Sequence, residues 1–123
     1  AATTFTNDRF PRATFPDLKT LRPSEPDEHT LKTLVREGAT IGAGCTIGND
    51  LTIGRWAMVG MGSLVTKSVP DFHLVIGSPA RSIGAVCKCG QLFYKFDESI
   101  EKKEVACSCG LKYEIENRNV KEL

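Results

Sequence analysis

Two stretches near the C-terminus repeat one chemistry. Cys87-Lys88-Cys89-Gly90 is followed by Phe93, and Cys107-Ser108-Cys109-Gly110 is followed at the same spacing by Tyr113. Each is a knuckle of two thiols, a glycine and an aromatic ring that can pack behind them. Four thiolates can hold Zn²⁺ in a tetrahedron, and glycine lets backbone amides turn towards the sulfurs. The seventeen residues between Cys89 and Cys107 fit a ribbon of two hairpins. The sequence reading is therefore structural zinc on Cys87, Cys89, Cys107 and Cys109. Two alternatives stay open: a pair of disulfides, or knuckles that have lost their metal. Nothing in the chain suggests secretion, which disfavours the disulfides. A unit of this size folds poorly without such a clip. With all four thiols committed, none is expected to be catalytic.

The rest of the chemistry is sparse. Only two histidines exist, His29 and His73. That is too few for a histidine-held catalytic zinc, which needs about three. His73, in "PDFHLV", reads as structural or exposed. Cys45 reads as a small buried residue. The chain has 123 residues, 16 basic and 15 acidic side chains, and a net charge of +1. That balance argues against nucleic acid or a polybasic membrane anchor as partner. No apolar run approaches the roughly 20 residues of a membrane span. A cytoplasmic protein is expected.

The elements that must position these residues announce themselves by a period. Val35, Ile41, Ile47, Ile53, Val59 and Val65 stand six apart, and Gly42, Gly48, Gly54 and Gly60 follow four of them in succession. A helix repeats near 3.6 and a half-buried strand at 2. Six fits a left-handed parallel β-helix, three hexads to a triangular coil, with the aliphatics turned inward. The fold class is thus all-β. Ala39, Cys45, Ala57 and Ser63 fall at the inner corner, and Trp56 at an outward corner suited to a neighbouring subunit.

Three segments follow. Residues 1–34 are an N-terminal segment and a proline-rich acidic loop ahead of the register. Residues 35–85 are the coils and their exit turn, with Pro70 ending the register. Residues 86–123 are the zinc-ribbon-like tail, expected to cap the helix. Two coils bury little, so further coils upstream of Ala1, lateral packing as a homotrimer, or both are expected.

The hexads, the exit "AMVGMGSLVTKSVPDFHLVIGSPARSIG" and the opening "FTNDRFPRA" together resemble the hexapeptide-repeat acyltransferases. Within them the chain is most similar to the UDP-2-acetamido-3-amino-2,3-dideoxyglucuronate N-acetyltransferase group. The resemblance implies a trimer with acetyl-CoA in a groove between neighbouring β-helices. It puts the coenzyme along Gly42, Ala43, Gly60 and Met61, with its far end near Thr66, Lys67, Pro79, Ala80 and Arg81. Ser78 stands where the family more often has Asn. The reaction implied is acetyl transfer to the amine of a nucleotide-linked sugar, in which the Asn7 amide orients the amine or stabilises the developing oxyanion, Asp8 accepts a proton from the ammonium or holds it, and Arg12 engages a carboxylate or phosphate. From the residues alone, Asn7-Asp8 also reads as an Asx turn closing a loop. Two other readings remain: a non-catalytic or truncated scaffold lacking the nucleotide site, and an O-acetyltransferase needing His29 or another base.

Overall fold

The computed structural model describes residues 1–123. The hexads fold as two-residue strands joined by glycine-containing corners, stacked into a three-sided parallel β-helix. One face stacks β1 (Thr4–Phe5), β4 (Thr46–Ile47) and β7 (Leu64–Val65). A second stacks β2 (Leu34–Val35) and β5 (Thr52–Ile53), continued by a bridge from Ile53 to Val69. The third stacks β3 (Thr40–Ile41), β6 (Met58–Val59) and the longer β8 (His73–Gly77). Stacked partners lie eighteen residues apart, Leu34 on Thr52, Thr40 on Met58 and Thr46 on Leu64. In each pair the first residue faces out and the second faces in. Columns of like side chains result: Phe5–Ile47–Val65, Val35–Ile53–Val69 and Ile41–Val59–Val75. Ile47 and Ile53, in the middle of the stack, are fully buried. Cys45, Ala57 and Ser63 fill the inner corner, all buried, as the hexad phase requires. No helix of the chain is long and apolar enough to cross a membrane.

Three expectations need correction. First, β1 lies within the coil rather than ahead of it, pairing in parallel with β4. Residues 6–33 are then an excursion inserted between two faces, which hides the period of the first coil. Second, the register does not end at Pro70. It shortens by two residues at the last corner and resumes, so that Met58 pairs with Leu74 and Val59 with Val75. Val69 accordingly faces inward as the aliphatic of its face. Pro70 and Asp71 pass so close beneath Gly54 that a Cβ there would lie 2.5 Å from the Asp71 nitrogen. Third, the boundary expected at residue 86 falls inside a strand. The strand β9 (Ala80–Val86) turns back antiparallel on β8, and β10 (Leu92–Lys95) pairs with β9, so the third face and the first hairpin of the tail form one five-stranded sheet.

The tail completes itself with β11 (Lys103–Ala106), β12 (Lys112–Glu116) and β13 (Asn119–Glu122), an antiparallel meander. It packs on the closing end of the prism through Phe72, Cys87, Cys107 and Tyr113, joined by Trp56, Phe93 and Val120. Trp56 thus serves an internal contact. Its ring lies where a Cβ on Gly38 would be, and Lys88 sits 5.3 Å from the ring centroid. His73 pins the junction: its Nε2 donates to the Arg118 carbonyl at 2.6 Å and its Nδ1 accepts from the Ser82 hydroxyl at 2.7 Å. Both ring nitrogens are satisfied with the imidazole neutral. Burial holds its pKa below the ordinary histidine value. His73 is structural, as its sequence context suggested.

Candidate functional site

The excursion leaves the prism at the corner between the first and second faces. Its base is tied down by backbone. The Thr6 amide donates to the Ile47 carbonyl at 2.9 Å, the Leu31 amide to Asn7 O at 2.7 Å and the Arg9 amide to His29 O at 3.1 Å. The Asn49 side-chain amide, from the coil, donates to Asp8 O at 3.2 Å. Asn7 and Asp8 are therefore held against a rigid coil although they belong to a loop. At the tip, the Asp17 carboxylate accepts from the Lys19 and Thr20 amides at 2.8 and 2.9 Å.

A cavity of about 370 Å³ opens beside this base, lined among others by Asn7, Asp8, Arg12, Arg22, Glu25 and Asp27. The structure places Asn7, Asp8 and Arg12, which the resemblance singled out, on this one cavity. Arg22 was missed. Its Nη1 donates to the carbonyls of Phe10 and Arg12, and its Nη2 meets Asp8 Oδ1 at 3.0 Å, so one guanidinium gathers both strands of the excursion. The only signal was a lone arginine in an acidic, proline-rich stretch, which spacing does not interpret. The hydrogen bond from Arg22, with a further one from the Phe10 amide at 2.9 Å, holds the Asp8 carboxyl below the usual aspartate range. Asp8 stays ionised and is a poor proton acceptor. The Asn7 side chain is exposed to the cavity's solvent.

The residues expected along a coenzyme fall into two groups. Gly42, Ala43, Gly60 and Met61 stack along the corner between the third and first faces. A Cβ on Gly42 would lie 2.5 Å from the Met61 nitrogen, so the backbone packs there without side chains between. Met61 is 81% exposed. Lys67, Ala80 and Arg81 meet instead at the closing end of the prism, around a cleft of about 140 Å³ floored by Val65, Val69 and Val75. Thr66 precedes that cleft at its corner, and Pro79 lies in the turn between β8 and β9.

The four tail cysteines converge. Their ligand atoms all lie within 4.8 Å of one another, with Cys87 Sγ 3.5 Å from Cys109 Sγ and Cys89 Sγ 3.7 Å from Cys107 Sγ. All are free thiols, so the disulfide alternative is not what the structure shows. A tetrahedron with Zn–S bonds near 2.3 Å has edges of about 3.8 Å, and the cluster fits that figure. The two knuckles are built alike. In each, the first cysteine's amide donates to the carbonyl four residues on and the glycine's amide donates back to that cysteine's carbonyl. Gly90 and Gly110 take φ of +94° and +101° to allow it. The rings differ: the Tyr113 hydroxyl donates to Cys87 Sγ at 3.2 Å and accepts from the Lys88 amide at 3.1 Å, whereas Phe93 only stacks on Tyr113. The Cys109 amide, with neighbouring thiols assisting, draws Cys107 down to about 7. The Gln91 amide pulls Cys89 the same way, but burial and the other thiols outweigh it and push that thiol up to about 12.

No protein-family model matches the chain. A dTDP-3-amino-3,6-dideoxy-α-D-galactopyranose 3-N-acetyltransferase of Aneurinibacillus thermoaerophilus is 38% identical over 92 residues, covering 75% of this chain and 45% of that protein. Among solved structures, AntD, an N-acyltransferase from Bacillus cereus in complex with dTDP and 3-hydroxybutyryl-CoA, matches with a TM-score of 0.51 at 26% identity, over 68% of this chain and 45% of that one. A hexapeptide-repeat-containing acetyltransferase from Vibrio cholerae O1 biovar eltor, complexed with acetyl coenzyme A, matches with a TM-score of 0.52 at 25% identity, over 68% and 42%. The chain spans less than half the length of each of these relatives. It is built on the left-handed β-helix of the hexapeptide-repeat acyltransferases and resembles, among them, the N-acetyltransferases of nucleotide-linked amino sugars.

Proposed function

We propose that this chain carries the acyl-transfer site of an enzyme that moves acetyl from acetyl-CoA to the amine of a nucleotide-linked sugar. The observation that carries the reading is the cavity at the base of the excursion, where Asn7 and Asp8 are fixed beside both guanidinium and carboxylate groups. Arg12 and Arg22 suit a phosphate or a sugar carboxylate, while Asp8, Glu25 and Asp27 suit an ammonium. A substrate with an anion at one end and an amine at the other meets both.

The amine must be neutral to attack. Its pKa lies near that of an α-amino group, about 8, so no strong base is needed. The nitrogen lone pair adds to the thioester carbonyl, the C–N bond forms, and the tetrahedral adduct collapses with loss of the C–S bond. The proton leaving nitrogen ends on the departing thiolate. Asp8, ionised and weakly basic, holds the ammonium and orients the amine rather than abstracting a proton. The Asn7 amide donates to the developing oxyanion.

The glycine corner and the Asn7 corner are different edges of the prism, so one chain does not bring thioester and amine together. A homotrimer, in which one chain's glycine edge faces its neighbour's Asn7 edge, supplies both. The pantetheine arm then lies along Gly42, Ala43, Gly60 and Met61, and Thr66, Lys67, Pro79, Ala80 and Arg81 take the phosphate-bearing end. In the tail, Cys87, Cys89, Cys107 and Cys109 hold one structural zinc. We place the reaction in the cytoplasm, where acetyl-CoA and reduced thiols coexist.

The test is release of free thiol from acetyl-CoA with a panel of dTDP- and UDP-linked amino sugars. Turnover is expected with at least one member, falling about a hundredfold in Asn7→Ala, the loss of one oxyanion donor. Particle mass should remain that of a trimer. No turnover across the panel, or full turnover without the Asn7 amide, defeats the reading.

A further inference from the structure

Each exposed cysteine of the tail touches the buried cysteine of the opposite knuckle. Cys109 Sγ lies 3.5 Å from Cys87 Sγ, and Cys89 Sγ lies 3.7 Å from Cys107 Sγ. Cys89 and Cys109 are exposed, whereas Cys87 and Cys107 are buried. The two contacts share no sulfur, so both pairs can react in one molecule. Disulfide sulfurs stand about 2 Å apart, and an approach of roughly 1.5 Å, shared between two side chains, closes either pair.

The pairing decides what happens to the fold. The partners are 22 and 18 residues apart in the chain. A bond across either pair ties the β9–β10 turn to the β11–β12 turn, the same connection that the four-thiol cluster makes. Such a cross-link restricts the unfolded chain and favours the closed ribbon. A bond within one knuckle, Cys87 to Cys89 or Cys107 to Cys109, leaves the two hairpins untied. The knuckles already face each other on the solvent side, where the Ser108 hydroxyl donates to Gln91 Oε1 at 2.8 Å. The fifth cysteine takes no part: Cys45 belongs to the coil core, with its sulfur on the Gly60 carbonyl.

We propose that the thiol cluster is an oxidation site, at which a hydroperoxide converts the four thiolates into the disulfides Cys87–Cys109 and Cys89–Cys107 and frees the metal. The metal in this statement rests on the zinc reading above; the pairing rests on the thiol geometry. The exposed thiolate attacks one peroxide oxygen. The O–O bond breaks, a sulfenic acid forms and hydroxide leaves. The buried thiolate facing it then attacks that sulfur, forming the S–S bond as the S–O bond breaks and a second hydroxide departs. Two electrons pass from each thiol pair to one peroxide, so the cluster consumes two peroxides. A thiolate is the metal ligand, and a disulfide sulfur carries no such charge, so the zinc is released. The ribbon therefore has two clips, metal when reduced and two cross-links when oxidised.

The test treats the full chain with hydrogen peroxide after metal analysis of the reduced protein. A chromogenic chelator should register about one zinc released per chain for about two peroxides consumed. Free thiols in the denatured product should fall from five to the single Cys45. Peptide mapping should find Cys87 joined to Cys109 and Cys89 to Cys107, and Cys45→Ala should leave that map unchanged. Dithiothreitol with added zinc should restore the starting state. In hydrogen exchange, the oxidised metal-free chain should keep the protection over residues 86–123 that the reduced metal-free chain loses. Bonds within a knuckle or between chains, thiols oxidised without any S–S bond, or protection lost on oxidation overturns the proposal. A reduced chain without zinc that still forms the two named disulfides defeats the zinc reading and leaves the oxidation site standing. Zinc bound and unmoved by peroxide does the reverse.

Discussion

The β-helix and the ribbon are both made of short strands and glycine turns, but their cores differ in kind. The helix core is Cys45, Ile47, Ile53, Ala57, Val59, Val65, Val69 and Val75, contributed by all three faces. Each inward aliphatic meets its equivalent one coil above or below, so burial is shared along the stack. The ribbon core is Phe72, Cys87, Cys107 and Tyr113, and Phe72 belongs to the helix end. Half of that core is thiol. A repeating coil is stabilised by stacking like on like, whereas a tail of this size has too little apolar surface and relies on a cross-link.

The contrast can be broken most forcefully at the thiols. Cys107→Ser, or removal of metal with a chelator, should abolish amide protection across residues 86–123 and leave residues 35–65 protected in hydrogen-exchange mass spectrometry. Metal analysis of the untreated chain should find about one zinc per four thiols. Because Cys89 is pushed up to about 12, metal binding must displace its proton, and occupancy should fall as pH falls. Loss of protection in the coil as well would show that the two cores are one.

A smaller effect of the opposite kind is expected in the coil. Ile53 is fully buried between Val35 and Val69. Ile53→Ala should cost about 2–5 kcal/mol, read from the denaturation midpoint, while zinc content stays unchanged. A variant that also released zinc would show the ribbon to depend on coil packing.

The junction should show the mildest effect. The unfolded chain protonates His73 near 6.5, but burial makes the folded chain resist the proton until lower pH. The stability contributed by the neutral ring is therefore full above about 6.5 and is lost as pH falls below it. Thermal midpoints measured downward from neutral pH should drop more steeply for the native chain than for His73→Gln. Parallel curves would mean that the ring is not what couples helix to ribbon.

Much of this was legible in the residues. The six-residue period named the fold because inward side chains repeat whenever the backbone repeats. The duplicated C-x-C-G knuckles named the thiol cluster because each is a self-contained turn. Asn7, Asp8 and Arg12, close together in the chain, line one cavity in the fold. Other features were not legible. β1 was hidden because a long excursion separates it from its partner, and no local period spans such a gap. The two-residue shortening at Val69 looked like an end because Pro70 is a common stop. Arg22 was invisible because its role lies in three contacts to residues ten to fourteen positions away. Trp56 was assigned outward from its corner phase, but the ribbon folds back over it.

Local chemistry recurring at a fixed spacing was decided by the chain's own order: a coil of stacked aliphatics and a pair of thiol knuckles follow from backbone geometry that each segment carries with it. The meeting of distant segments was decided only by tertiary structure. Arg22 on Asp8, His73 on Arg118 and Trp56 under the ribbon depend on how far one loop or hairpin folds back, and that distance is set by packing, which no neighbouring residue encodes.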